Sequence, residues 1–398
     1  MKTKNLLILI SIVLILVFWV VPSMAEEVRG VTDTEILIGC SSDTTSVAAY
    51  AGTATAQSMK DYFAWINDKG GIHGRKVKVV LEDNGYFPKT ALPAAKKLIM
   101  KDKVFAIGQV LGSAASWVTH PLAVKEKVPM FPNGSNYKFY HPVNKLVFVP
   151  FTSYYAGSGN LVDWIMQQDQ NAKIGIVYQD DAMGNDQLDG AKNAMKYHGK
   201  KLVAVSGFKA RAIDLSAQSK AMRDAGADYV IVSAMGRVFS QLMNYCWKMG
   251  YKPQFLGNVS TINPKMAELA PEASNGFIAT ANYVPMGADV PGMKEMLDVM
   301  KKYSGTKYEK NGHYAMGWIF SKATHAGLEN AGRNLTVDSF VSGMEAIKNL
   351  DMKGLSGNMT FGPDRHIGSL ANKLVRFDSK KVKFTPITDW VEPKSPQF

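Results

Sequence analysis

Ala56-Gln57-Ser58-Met59-Lys60-Asp61-Tyr62-Phe63-Ala64-Trp65-Ile66-Asn67-Asp68-Lys69-Gly70-Gly71-Ile72-His73-Gly74-Arg75-Lys76-Val77-Lys78-Val79-Val80-Leu81-Glu82 is the stretch whose reading decides the fold. Ala56, Met59, Phe63 and Ile66 recur at spacings of three and four, which puts them on one face of a helix. Gly70-Gly71 supplies the left-handed exit that ends that helix. Lys76–Glu82 then reads as a strand, and a helix with one apolar face beside a strand implies helices layered on a sheet.

The same alternation extends outward in both directions. Further strands are expected at Ile36–Cys40, Phe105–Gly108, Lys173–Tyr178, Leu202–Ser206, Tyr229–Ser233 and Phe255–Gly257, each followed by a helical stretch. Asp214 stands where a cap should be for a helix over Leu215–Ala225, closed by Gly226. The strand-helix series runs twice, from Ile36 to about Phe131 and from about Lys173 to Ile278, with a crossing segment near Val147–Thr152. The remaining third is helical from Pro291 to Ile347, then β-like at Asn358–Phe361, Lys373–Phe377 and Lys383–Trp390. The expected fold class is therefore α/β: two Rossmann-like lobes with parallel sheets, joined by a hinge of several crossings that keeps a cleft aligned while it opens and closes. Residues 26–151 plus 283–356 would form the first lobe, and 152–282 plus 357–398 the second.

Lys2 and Lys4 precede an apolar run from Leu6 to Val21, followed by Pro22-Ser23-Met24-Ala25. This reads as a secretory signal over residues 1–25, cut before Glu26, so the expected location is periplasmic; a retained anchor is the alternative. Leu37-Ile38-Gly39-Cys40 resembles a lipid-attachment box but lies beyond Glu26, Glu27, Arg29, Asp33 and Glu35, too far from the apolar run to serve as one. Cys40 and Cys246 are too few for a disulfide scaffold and are expected free and buried. The net charge of +12 comes from short pairs such as Lys96-Lys97, Lys301-Lys302 and Lys380-Lys381. With no zinc-finger, helix-turn-helix or RNA-binding signature, these read as solvated surface, and no nucleic-acid partner is expected.

Enzyme motifs fail at their first requirement. There is no G-x-G-x-x-G after a strand, no G-x-x-x-x-G-K-[ST], no G-x-S-x-G and no H-E-x-x-H. His73, His120, His141, His198, His313, His325 and His366 never fall at metal-ligand spacing. No catalytic residue, metal or cofactor is expected.

The run from Ile66 through Gly70-Gly71-Ile72-His73-Gly74-Arg75, Leu81-Glu82-Asp83-Asn84 and Pro88-Lys89 to Ala94-Ala95-Lys96-Lys97-Leu98-Ile99 resembles the leucine/isoleucine/valine-binding protein family of periplasmic solute receptors. The likeness continues through Ala106-Ile107-Gly108, Val128-Pro129-Met130, Ile174-Gly175-Ile176, Ala225-Gly226-Ala227-Asp228 and Gly357–Phe361. It implies a type I two-lobed fold that traps a small organic solute and hands it to the permease of an ABC importer, acting as a monomer. It also implies that the solute's carboxylate rests on the first lobe. Gly112-Ser113-Ala114-Ala115-Ser116 opens a helix after a strand, where free N–H groups and the positive dipole end favour an anion. Ser113 is the first anchor, with Ala114 beside it; Ser135 and Asn136 belong to the second hydroxyl-bearing loop, Asn133-Gly134-Ser135-Asn136. Tyr50 stands where relatives place an aromatic over the ligand. A plain helix cap is the other reading of Ser113, and simple packing that of Tyr50.

Departures from the family bear on the solute. Asn258-Val259-Ser260 replaces the acid that meets a ligand's ammonium group, Tyr154 replaces a second acid, and Met183 and Met235-Gly236-Arg237 stand at aromatic positions. A buried ammonium without a carboxylate costs several kcal/mol. The expected ligand is therefore a carboxylate or similar small polar molecule with an aromatic or branched body, packed by Tyr50, Tyr154, Met183, Met235 and Val259. The methionines also read as core filler, and Arg237 as an anion contact, a lobe-closing ion pair or a solvated side chain. Alternatives are a sensor presenting ligand to a membrane receptor, a branched-chain amino acid binder with a displaced ammonium site, and a cleft enzyme using Asp180 or Asp181.

Overall fold

The computed structural model describes residues 28–134, 136–209 and 212–397. The signal-peptide segment and Ser135 lie outside the described residues. The first half forms β1 (Glu35–Ser42), α1 (Ala49–Asp68), β2 (Lys76–Asp83), α2 (Pro88–Lys96) running into a π-helical turn at Lys97–Lys101, β3 (Ala106–Val110), α3 (Ser113–Lys125) and β4 (Met130–Pro132). These strands make a four-stranded sheet in the order β2-β1-β3-β4, parallel throughout. The helix read from its spacing buries Ala56, Met59, Phe63 and Ile66. Its exit is Gly71 at φ +74, where a Cβ would come within 2.0 Å of the Arg75 carbonyl. Asn67 then ties the helix end to β2, donating to Val77 O and accepting from Val77 N at 2.9 and 2.8 Å.

The second half continues as α4 (Tyr154–Gln168), β5 (Ile174–Gln179), α5 (Ala182–Tyr197), β6 (Ala204–Phe208), α6 (Ser216–Asp224), β7 (Tyr229–Ser233), α7 (Gly236–Lys248), β8 (Gln254–Gly257), α8 (Met266–Leu269), β9 (Ile278–Ala281), α9 (Pro291–Ser304), α10 (His313–Ala331), α11 (Val337–Glu345), β10 (Lys373–Asp378) and β11 (Lys383–Pro386). The second sheet has the order β11-β10-β9-β8-β7-β5-β6 and is parallel except for β10, which pairs antiparallel with both β9 and β11. After β9 the chain returns to the first sheet. There α10 packs on α1, with Tyr314 donating to Asp61 at 2.6 Å and Tyr62 meeting Trp318 edge to face at 4.8 Å.

Among the described residues the chain crosses between the two sheets after β4, after β9 and before β10, and buried polar side chains link these crossings. Thr152 donates to Ala371 O at 2.6 Å, Asn372 to Asn282 Oδ1 at 2.6 Å, and Asn160 to Asn372 Oδ1 at 3.0 Å.

Several expected elements differ in detail. The strand placed at Leu202–Ser206 sits two residues later, because β6 is an edge strand: its Val205 and the preceding Val203 are exposed, so apolar residues there do not mark burial. β4 and β9 were not expected; three and four residues leave little pattern to read. Asn358–Phe361 forms only a bridge, Leu350 to Met359, and the last strand stops at Pro386, short of Trp390. Asp214 is not the helix cap: Leu215 holds that position without a side-chain bond, while Asp214 accepts from Ser216 N at 2.8 Å. Cys40 and Cys246 are free and buried. Among the described residues no helix is long and apolar enough to cross a membrane.

Candidate functional site

Open α/β sheets bind ligands at the carboxyl ends of their strands. On the first lobe those ends carry Asp43, Asn84–Tyr86, Leu111–Gly112 and Asn133–Gly134. Gly112, at φ +97, occupies the cap position of α3, and the buried Ser113 is the first helical residue. The first backbone bond of the helix runs from Ser116 N to Gly112 O at 2.8 Å, and the N–H groups of Ser113, Ala114 and Ala115 donate to no acceptor among the described residues. The loop after β4 lies directly on this turn, since a Cβ on Gly134 would fall 2.3 Å from Ser113 Cα and 2.4 Å from its N and Oγ. Beside it, both amide atoms of Asn133 are buried without a partner among the described residues.

Aromatic side chains stand around that turn. Tyr86, at φ +67, packs its ring 3.2 Å from where a Gly112 Cβ would be. Tyr50, in the first turn of α1, is 51% exposed and meets the His313 ring edge to face at 6.1 Å. Burial raises the phenols of Tyr86 and Tyr283, with Tyr154 adding repulsion to both, Asp181 to Tyr86 and Tyr50 to Tyr283. Burial likewise pushes Tyr154 up to about 12 and His313 down to about 4.

The second lobe brings Tyr154, Met183 and Val259 together through Ser260. Tyr154 shares a hydrogen bond with Ser260, whose hydroxyl lies 3.9 Å from the Met183 sulfur, and Val259 is buried next to it. Asn136 crosses from the other side, donating to Ala182 O at 3.0 Å while its Oδ1 accepts from Lys138 N. Met235 is half-buried at the start of α7, and Arg237 is exposed with no ion pair among the described residues.

The acids near the cleft are already engaged. Asp43, fully buried, accepts from the N–H groups of Thr45, Ser46 and Ala48. Asp181 caps α5 through Met183 N and Gly184 N, both at 3.0 Å, and also accepts from Gln179. Asp180 turns outward to Lys209. No group of three or more potential metal ligands occurs among the described residues. Tyr86, Tyr283 and His313 were not singled out from the sequence. The strand-end rule would have found Tyr86 after Lys76–Glu82, whereas Tyr283 follows the short β9 that the pattern did not reveal, and His313 opens a helix remote in sequence and carries no local signal.

The comparisons with known proteins agree with this architecture. The periplasmic binding protein family profile matches residues 35–381. The Leu/Ile/Val-binding protein of Escherichia coli (strain K12) is 23% identical over 290 residues, covering 72% of this chain and 74% of its own. The fatty acid ABC transporter substrate-binding protein from Thermomonospora curvata superposes with a TM-score of 0.82 at 25% identity, covering 94% of this chain and 96% of that one. A branched-chain amino acid ABC transporter protein from Thermus thermophilus, with bound valine, gives 0.81 at 19% identity and covers 91% and 97%. A profile spanning nearly the whole described chain, together with two α/β lobes linked by three crossings, shows that the chain belongs to the periplasmic binding protein family.

Proposed function

We propose that the protein is an extracytoplasmic carrier of a small organic carboxylate with an aromatic or branched body, delivered to the permease of an ABC importer. The observation that carries this reading is the first turn of α3, whose three leading N–H groups have no acceptor among the described residues and which lies beside the Tyr86 ring. The carboxylate would sit on Ser113, Ala114 and Ser135, and Tyr50, Tyr154, Met183, Met235 and Val259 would enclose the body. Asn136 would close the lobes over it. A relative named for fatty acids, carboxylates without an ammonium group, supports this class. Export through residues 1–25 and a monomeric carrier complete the proposal.

The test uses ligand pairs that differ only in the ammonium group: leucine against 4-methylpentanoate, and valine against 3-methylbutanoate, with benzoate and phenylacetate added. A ligand at 100 times its Kd adds about 2.7 kcal/mol of stability. Larger thermal shifts from the plain acids are expected; a large valine shift with no response to any acid would overturn the reading. That outcome would favour a second reading, branched-chain amino acid binding, which the similarity to Leu/Ile/Val-binding protein supports and in which Asp181, whose charge reaches both Tyr86 and Tyr154, would meet the ammonium group.

A further inference from the structure

His313 is locked in place by its backbone. Its N–H donates to Asn311 Oδ1 at 3.1 Å, and its carbonyl accepts from Thr55 Oγ1 at 3.1 Å. Asn311 in turn donates to Tyr50 O at 2.8 Å. Gly312 closes the other side, since a Cβ there would come 2.9 Å from the Tyr283 ring. The imidazole thus stands against Tyr50, and its neighbour Gly312 against Tyr283, whose phenol in turn feels Tyr50 and, from the second lobe, Tyr154. Its Nδ1 is buried and has no hydrogen-bond partner among the described residues.

A neutral imidazole presents one N–H and one lone pair, and burial keeps this ring neutral by holding it down at about 4. It therefore brings no charge of its own to a ligand and matches a neutral donor or acceptor. A buried polar nitrogen left unpaired is a standing cost that a ligand atom of matching polarity removes. Sites built around such a bond reject the analogue that lacks the group, because the protein atom is then left stranded.

We infer that His313 is a specificity-determining residue which hydrogen-bonds a hydroxyl or carbonyl group on the ligand's body, so that the preferred solutes are hydroxy- or oxo-substituted acids rather than the plain ones. The inference rests on the carboxylate reading above. No sequence motif marks this residue, and its role follows from the unpaired nitrogen and the ring contact with Tyr50.

Calorimetric titration of the three monohydroxybenzoates against benzoate, and of the three monohydroxyphenylacetates against phenylacetate, tests it. In the wild type at least one hydroxylated isomer should bind roughly tenfold or more tighter than its parent. His313→Phe should bring that ratio close to one, and His313→Gln should restore part of it. Should His313→Phe fold poorly, the partial ratio in His313→Gln still decides. If neither parent nor hydroxylated acids bind the wild type, the carboxylate reading falls and this inference with it. If the acids bind but the ratio is near one in the wild type, or is unchanged in His313→Phe, only the role of His313 is refuted.

Discussion

At the scale of single residues, the anion anchor and the turn below it do separate work. The cap position of α3 belongs to Gly112 and not to Ser113, so Ser113→Ala should leave the melting temperature almost unchanged and weaken acid binding several-fold. Paired with Ser135→Ala the loss should deepen, and unchanged affinity in the double variant, read by calorimetry, would remove the anchor from this loop. Asp43 behaves in the opposite way, because its buried carboxylate satisfies three backbone N–H groups between β1 and α1. Asp43→Ala should cost about 2 kcal/mol or more in urea denaturation. Ser113 was legible because a small hydroxyl residue after Gly112 has a local meaning, whereas the partners of Asp43 depend on a turn that its sequence does not announce.

At the scale of elements, the strand-helix alternation was readable wherever a segment is long and buried on a known face, as in α1, β2 and β7. It failed for β4 and β9, which are short, and slipped at β6, where one face meets solvent. The approach of the β4 loop to α3 gives a test of element placement. Gly134→Ala puts a methyl group where the Ser113 backbone already lies, so the loop must move off the helix. Affinity for acids should fall further than in Ser113→Ala, accompanied by a lower melting temperature; an unshifted crystal position of the loop would contradict this.

At the scale of the whole molecule, the lobes meet through a buried acid as well as through the hinge amides. Asp186 on α5 is 1% exposed and accepts N–H bonds at 2.9 Å from Tyr137, in the loop region after β4, and from Tyr155 on α4. Burial raises this carboxyl to about 8, the two N–H bonds and Lys138 opposing the shift and Asp189 adding to it. An ordinary aspartate titrates near 4. Between those values the folded protein holds a proton that the unfolded chain has lost, so stability from this group is greatest below about pH 4, declines as pH rises to about 8 and is level above it. Thermal melts of wild type and Asp186→Asn from pH 5 to 8 should show a steeper decline for the wild type, and parallel slopes would refute the assignment. The hinge has its own readout. Asn372→Ala breaks the link to Asn282 and Asn160, and should change the distribution of open and closed forms in small-angle scattering.

The sequence by itself determined the α/β class, the double strand-helix series and the family likeness, because periodicity, glycine exits and strand-end hydroxyls are local properties of the chain. Only the tertiary structure decided which side chains share the cleft. It left Arg237 in solvent, committed Asp181 to a helix cap and carried His313 to Tyr50, since those meetings depend on how α1, α10 and the two sheets pack at long range.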